Sequence, residues 1–325
     1  MATVFKNLLS NDIATTRTLL NEAIPITGTI VSGTYNDENI KNYAHGMFQS
    51  VYDYPYLSSS ANHIFDITYG YTSEYSASAN LQNAKKLNIY NQMAQVLVGY
   101  DVTGSIRKFD RDGDFATTGS NSKLETCVFL NYSRLLTKDE VKKGSYRLTI
   151  SGSGGDKVIG DYGAQNDYRV NSPTGEYGVL YTSSAAVAGT GVGLIYYQAG
   201  VAVLTASSDL FESATDFTGT LSISGTADVV REGWIDNDFN NTTELNSTVY
   251  FCRLNNNEFN YSSNPTYLSG SKIVTKEKST DPSVAYVTSI GLYSADNELL
   301  AVAKLSEPLK KDQNNELTLR VRLDY

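Results

Sequence analysis

GLIYYQAGVAVL (residues 193–204) holds two short apolar runs on either side of Gln198-Ala199-Gly200. A run of four to eight apolar or aromatic residues bounded by turn residues reads as a buried strand. Two such runs joined by three residues containing Gly read as a β-hairpin. The apolar stretch from Val192 to Leu204 is the longest in the chain. It falls short of the roughly 20 residues that a membrane helix needs, and Gln198 interrupts it. Outward from this hairpin the same character recurs from about residue 124 to the end. LETCVFLNYSRLL, SYRLTIS, GVLYTS, VGLIYYQAG, VAVLTAS, GTLSISG, STVYFCRLN, YVTSIGLYS, ELLAVAKLS and ELTLRVRLDY all read as strands. Lys143-Gly144 and Ala295-Asp296-Asn297-Glu298 supply turns between some of them. So many short strands predict β-sandwich-like or interlocked sheets. The last strand alternates Leu317, Leu319, Val321 and Leu323 against Thr318, Arg320, Arg322 and Asp324, so the end of the sequence is expected to be tied into a sheet.

The first third reads differently. Asn11-Asp12 can cap a helix with the body IATTRTLLNEA, stopped by Pro25 and Gly28. ENIKNYAHGMFQSVYDYP places Ile40, Tyr43, Met47 and Val51 at helical spacing, ended by Pro55. NAKKLNIYNQMAQVLVGY has the strongest helical period and ends at Gly99. HIFDITYGY between them reads as a strand. The expected fold is therefore mainly β with a helix-containing N-terminal third (α+β) and β-sandwich-like sheets. The expected domains are a helix-containing module over 1–122 and a β-rich body over 123–325, with two sheets or subdomains divided near 215.

Composition narrows the function. The chain has 325 residues, 35 acidic against 26 basic, and a formal charge of −9 without a long basic run. That argues against a dedicated nucleic-acid binder. Charged residues make up only 19%, and Tyr is abundant at 24, a balance that suits β-rich proteins with broad contact surfaces. Cys127 and Cys252 stand alone, so neither a disulfide framework nor a structural zinc site is expected. His45 and His63 are the only imidazoles. The opening residues MATVFKN show no apolar core of a secretory signal.

Each motif has a plain reading beside a sharper one. Asp110-Arg111-Asp112-Gly113-Asp114 puts carboxylates at positions 1, 3 and 5 of a calcium loop, which makes Asp110, Asp112 and Asp114 the weak metal candidates. Phe115 then stands where that loop needs Gly, and Asn121 where it needs a bidentate carboxylate, so the expectation is a solvated turn. SGSGGDK (151–157) matches neither the phosphate loop nor the dinucleotide pattern and reads as a loop between strands. His63 has Asp66 three residues on, but no GxSxG elbow exists for a nucleophile. Both histidines read as packing or hydrogen-bonding residues, and no catalytic residue is assigned. Trp234 in REGWIDND is the one Trp, flanked by Glu232 and Asp236. It is read as a surface turn that could present its ring to a sugar or a partner. NNNEFNYSSNP (255–265) reads as a well-capped loop that presents aromatics. The proposed contact residues are Trp234, Asn256, Phe259, Tyr261 and Tyr267.

Four places carry a resemblance: YDYPYLSSSANHIFD (52–66), CVFLNYSRLLTKDEVKKGSYRLTI (127–150), GLIYYQAGVAVL (193–204) and YFCRLNNNEFNYSSNP (250–265), the last extended by VTSIGLYSADNELLAVAKLSEPLKKD (287–312). Together these resemble virion structural proteins of large contractile-tailed (myovirus-type) bacteriophages. The resemblance implies a non-enzymatic subunit of the particle, in the tail or baseplate, with no cofactor. Alternatives are the neck at the head–tail junction, or a virion protein that binds host glycan. The implied partners are copies of itself and other virion proteins, without nucleic acid or membrane, in a virion assembled in the host cytoplasm.

Overall fold

The computed structural model describes residues 5–26, 37–115, 123–152, 154–182, 190–212 and 214–325. The chain is mostly β, with 45% in strands and 15% helical. The early strands are β1 (Ile13–Pro25), β2 (Ile40–Asn42), β3 (Gln49–Tyr52), β4 (His63–Tyr71), β5 (Phe109–Asp110), β6 (Lys123–Leu124) and β7 (Thr126–Tyr132). Next come β8 (Glu140–Val141), β9 (Arg147–Gly152), β10 (Gly155–Gly160), β11 (Arg169–Ser172), β12 (Gly175–Leu180), β13 (Gly193–Tyr196) and β14 (Val201–Thr205). The 21-residue β15 (Trp234–Leu254) precedes β16 (Leu268–Ser269), β17 (Lys272–Ile273), β18 (Ala285–Tyr293), β19 (Leu299–Lys311) and β20 (Leu317–Asp324). The α-helices are α1 (Asn83–Leu97), α2 (Arg134–Thr137) and α3 (Ile223–Glu232). By compactness the chain forms two units, Leu19–Thr243 and the joined ends Met1–Thr18 with Glu244–Tyr325.

The larger unit is built on an eight-stranded sheet of order β11-β12-β13-β14-β7-β4-β3-β2, antiparallel throughout. The decisive stretch forms β13 and β14, paired from Gly193↔Leu204 to Tyr196↔Val201. Its side chains sort by parity. Ile195, Tyr197, Ala202 and Leu204 face one core with Ile67, Val128 and Leu130. Leu194, Tyr196, Val201 and Val203 face a second core with Cys127 and Phe129. A sheet covered on both faces needs apolar residues at consecutive positions, which is why these strands read as unbroken runs.

The first core is closed by a second sheet, to which β8, β9, β10 and the start of β15 contribute, through Leu148, Ile150, Ile159, Trp234 and Phe239. Both sheets thus contribute to one core, in a chain that is mostly β with several antiparallel sheets. The second core is closed by α1 through Ile89, Tyr90, Ala94 and Leu97. Helix α1 lies close on β4 because Gly70 has no side chain. A Cβ there would stand 2.7 Å from Tyr90 N and 2.8 Å from Lys86 O.

The helical N-terminal third is overturned. Of the three helices expected there, the one over NAKKLNIYNQMAQVL forms, as α1, ended by Gly99 at φ 84°. IATTRTLLNEA is strand β1, and Asp12 caps a 3-10 turn, accepting from Leu9 N at 3.1 Å. Its β-branched Ile and Thr residues suit the extended chain beside β15. ENIKNYAHGMFQSVY is the β2–β3 hairpin, turned at Gly46 with φ 59°. Ile40 and Val51, which look like one helical face, are cross-strand partners. The opposite error falls at GTLSISG, expected as a strand, where Ser222 caps α3 by accepting from Gly225 N at 3.0 Å.

In the smaller unit, β20 pairs with the end of β15 from Ser247↔Asp324 to Leu254↔Leu317, so the final strand is tied into a sheet as expected. β18 and β19 form a separate long hairpin.

Gly70→Ala should destabilise the protein by about 1–3 kcal/mol, the usual range for overpacking, because the new methyl meets backbone that cannot step aside. The denaturant midpoint, with unchanged slope, measures it.

Candidate functional site

The acidic triplet comes together, with ligand oxygens of Asp110, Asp112 and Asp114 within 4.8 Å of one another. The solvated turn expected from sequence holds for the exposed Asp114 and not for Asp110. Asp110 sits on β5, fully buried, and accepts from the Lys123 ammonium on β6. Burial, aided by the Asp112 carboxylate, raises its pKa above the ordinary value despite Lys123. Phe115 takes φ 54° where a calcium loop has Gly, and it stacks on Tyr177 at 5.1 Å. Asn121 lies outside the described residues. Among the described residues the charge partner of Asp110 is Lys123, and that pair reads as a structural ion pair.

His63 and Asp66 do meet, with Nε2 2.8 Å from Oδ1. Ser50 Oγ donates to the same Oδ1 at 2.5 Å. The carboxylate therefore stands between serine and imidazole. Nucleophilic catalysis needs the imidazole on the hydroxyl, so this is a hydrogen-bonded cross-strand set and not a triad. His45 stacks on Tyr43 at 5.1 Å, and its Nδ1 accepts from Met47 N. Both histidines thus pack and hydrogen-bond, as read from the sequence. The SGSGGDK segment is the β9–β10 hairpin, turned beside Gly155 at φ 94°. Cys127 is buried and Cys252 half-buried, and both are free thiols.

Trp234 requires correction. It begins β15 with 4% of its surface exposed, and its indole stacks on Phe65 at 4.9 Å and 13°. It is a core residue, so neither a sugar nor a partner can stack on it. The abundant tyrosines are in large part core residues too. Tyr69, Tyr71, Tyr90, Tyr146, Tyr177, Tyr196 and Tyr197 are among the largest fully buried side chains. Many hydroxyls are satisfied inside, as in Tyr132–Tyr146 at 2.6 Å and Tyr90 to Leu124 O at 2.7 Å.

The other contact candidates lie in the smaller unit around one amine. Lys311, at the end of β19, is fully buried. Its Nζ donates to Asn260 Oδ1 at 2.7 Å, Asp312 O at 2.8 Å and Asn256 O at 3.3 Å. Asn260 Nδ2 donates back to Asn256 O at 2.7 Å. Burial lowers the Lys311 pKa. Glu258 closes the loop from outside, accepting from Lys6 at 2.5 Å. Phe259 is half-buried at φ 56°, whereas Asn256 and Tyr261 are exposed. Tyr267 is buried, edge-on to Tyr261 at 4.8 Å, and donates to Val284 O. The loop is ordered, and it presents Asn256 and Tyr261 outward.

Two buried charges in the larger unit escaped the sequence reading. Asp161 accepts from Gly144 N at 2.6 Å, Tyr146 N at 3.0 Å, Tyr197 OH at 3.1 Å and Arg147 Nη1 at 3.2 Å. Desolvation outweighs these donors and raises its pKa to about 6. Lys86 donates to Phe217 O and Leu221 O, both at 2.7 Å, and burial lowers its pKa to about 8. Each joins segments far apart in sequence, and no local spacing announces either. No helix among the described residues is long and apolar enough to cross a membrane. Comparison with protein-family models, curated proteins and solved structures finds no match.

Lys311→Met removes the amine from three oxygens. Amide exchange across 255–261 should speed up at least about tenfold, while β13 and β14 keep their protection. Asp161→Asn should cost about 1–3 kcal/mol at pH 7, because an amide nitrogen would meet backbone donors. The folded carboxyl holds a proton that the unfolded one releases between pH 6 and 4. Its contribution to stability therefore grows as pH falls through that window. The deficit of the Asn variant should widen from pH 7 to pH 4, as denaturation of both proteins at the two pH values would measure.

Proposed function

We propose that this chain is a non-enzymatic structural subunit of a tailed-bacteriophage particle, placed in the tail or baseplate. The observation that carries the reading is the unequal division of the core. Every one of the twelve largest fully buried side chains belongs to the larger unit. Among the described residues the core cluster of the smaller unit is Tyr267, Ile273 and Ala285, and its strands carry apolar side chains outward. A unit that leaves apolar strand faces open is suited to completion by neighbouring subunits. The resemblance of 250–312 to myovirus-type virion proteins falls on this same unit. Its ordered Asn-rich loop, with Asn256 and Tyr261 exposed, adds hydrogen-bonding groups of the kind found at interface rims. The role would be mechanical, with closed rings of copies as the expected arrangement.

Quantitative mass spectrometry of purified particles, scaled to the major capsid protein, tests this. About six, twelve or eighteen copies are expected for a ring. Hundreds of copies would overturn the ring position, and absence from the particle would overturn the structural role.

A further inference from the structure

The β5–β6 pair is the smallest sheet of the larger unit, with two residues in each strand, yet it carries Phe109 and Leu124 into the second core. Two strands alone are marginal in water, so something besides the ladder must hold this pair. Its register sets Asp110 directly opposite Lys123. Residues opposed in this way have Cβ atoms about 4.5–5.5 Å apart on one face. The Lys123 amine donates to Asp110 Oδ2. Asp110 is fully buried, and the Lys123 side chain is 13% exposed.

A third group turns this ion pair into a set of reactants. Asp112 brings a carboxylate oxygen to within 4.8 Å of one on Asp110. Its Oδ1 is buried and has no hydrogen-bond partner among the described residues. Its backbone N–H reaches Asp110 Oδ1 at 3.4 Å. Two carboxyls thus face one ammonium where water is scarce, and burial together with the Asp112 charge favours a proton on Asp110. A protonated carboxyl is an electrophile, and the lysine nitrogen held against it is a nucleophile once it gives up a proton. Fixed contact replaces the encounter that makes amide formation slow in water. Buried ions carry a desolvation cost, and the neutral amide that would replace them does not.

We infer that Lys123 and Asp110 condense into an isopeptide bond across β5–β6, with Asp112 carrying the protons. Asp112 takes a proton from the Lys123 ammonium, and the freed lone pair forms the Nζ–Cγ bond on the protonated Asp110 carboxyl. Charge develops on Oδ1, which faces the Asp112 N–H. Asp112 returns its proton to the Oδ2 hydroxyl, the Cγ–Oδ2 bond breaks, and water leaves. Asp112 then takes a second proton from the nitrogen and releases it to solvent. The amide and one water are the products, and no oxidant or co-reactant is needed. The bond concerns this chain alone, so it stands or falls apart from the assembly reading.

Mass spectrometry of the denatured full chain tests it. The mass should fall about 18 Da below that of the sequence, for one water lost. Trypsin cuts after Lys and Arg but not after an acylated lysine, whose charge is gone. The digest should therefore contain 109–111 joined to 112–134, with Lys123 uncut. Lys123→Met should restore the mass expected from its own sequence. Asp112→Ala keeps both reactants and should slow condensation at least about a hundredfold, so the freshly purified variant should be largely unlinked. A folded parent chain with the full sequence mass and Lys123 cleaved overturns the inference. A loss of water with Lys123 still cleaved places a succinimide at Asp112-Gly113 and overturns it equally. Complete linkage in Asp112→Ala overturns the role of Asp112. The parent chain answers first, so a variant that fails to fold leaves that result in place.

Discussion

Helix α1 rests its backbone against Gly70 of β4, and that approach closes the second face of the eight-stranded sheet. A sheet hidden on both faces must be apolar at every position of its central strands, and its layers must be filled to crystal-like density. Tyrosine does much of that filling here. Its ring supplies volume, and its hydroxyl reaches a backbone carbonyl, a carboxylate or another hydroxyl, as in Tyr177 to Gly113 O at 2.7 Å. Where the layers meet loops, single buried charges take over. Lys86 gathers the carbonyls of Phe217 and Leu221, and Asp161 gathers the amides of Gly144 and Tyr146. Removing one partner from such a set leaves the other groups buried and unmet, so these few residues constrain more than their area suggests.

The central strands were legible because their signal is local. β7, β13 and β14 announce themselves as apolar runs between turn residues, and α1 by a helical period ended at Gly99. Where the reading failed, tertiary pairing had displaced the local pattern. Ile40, Tyr43, Met47 and Val51 keep helical spacing, yet Gly46 turns the chain and pairs Ile40 with Val51. In GTLSISG the alternation of Leu221 and Ile223 suggested a strand. Ser222 instead caps α3, and TADVVRE carries the helix onward. Trp234 was misplaced because its acidic neighbours suggested a surface turn. An irregularity in β15 between Trp234 and Asp236 resolves this, burying both Trp234 and Asn237 while Ile235 and Asp236 are exposed.

The candidate site was legible only as far as its loop chemistry. The Asn-rich stretch 255–265 was readable as an ordered loop, since Asn caps turns and tolerates left-handed backbone. Lys311 lies more than fifty residues on in the sequence and looks like an ordinary strand-end lysine. Nothing in its spacing indicates that it fills the loop. The acidic triplet shows the same limit. Its spacing suggests a cation, and the cation the fold provides is Lys123, from the next strand of a two-stranded pair.

The smaller unit poses a physical problem that the larger one does not. A two-stranded hairpin is marginal in water. Here one end is held by Lys311, by Tyr267 on Val284 O and by Ala285 in the small cluster, while the turn end carries an exposed apolar patch around Leu300 and Val302. A chain that carries such a surface needs a device against indiscriminate association. The β19 strand answers this with Lys304, Glu307, Pro308 and Lys310 along its length, residues that discourage open-ended edge pairing. Lys304, opposite Ser289 and two positions from Val302, sets a charge on the same exposed face as the patch, where it guards the free strand against indiscriminate association.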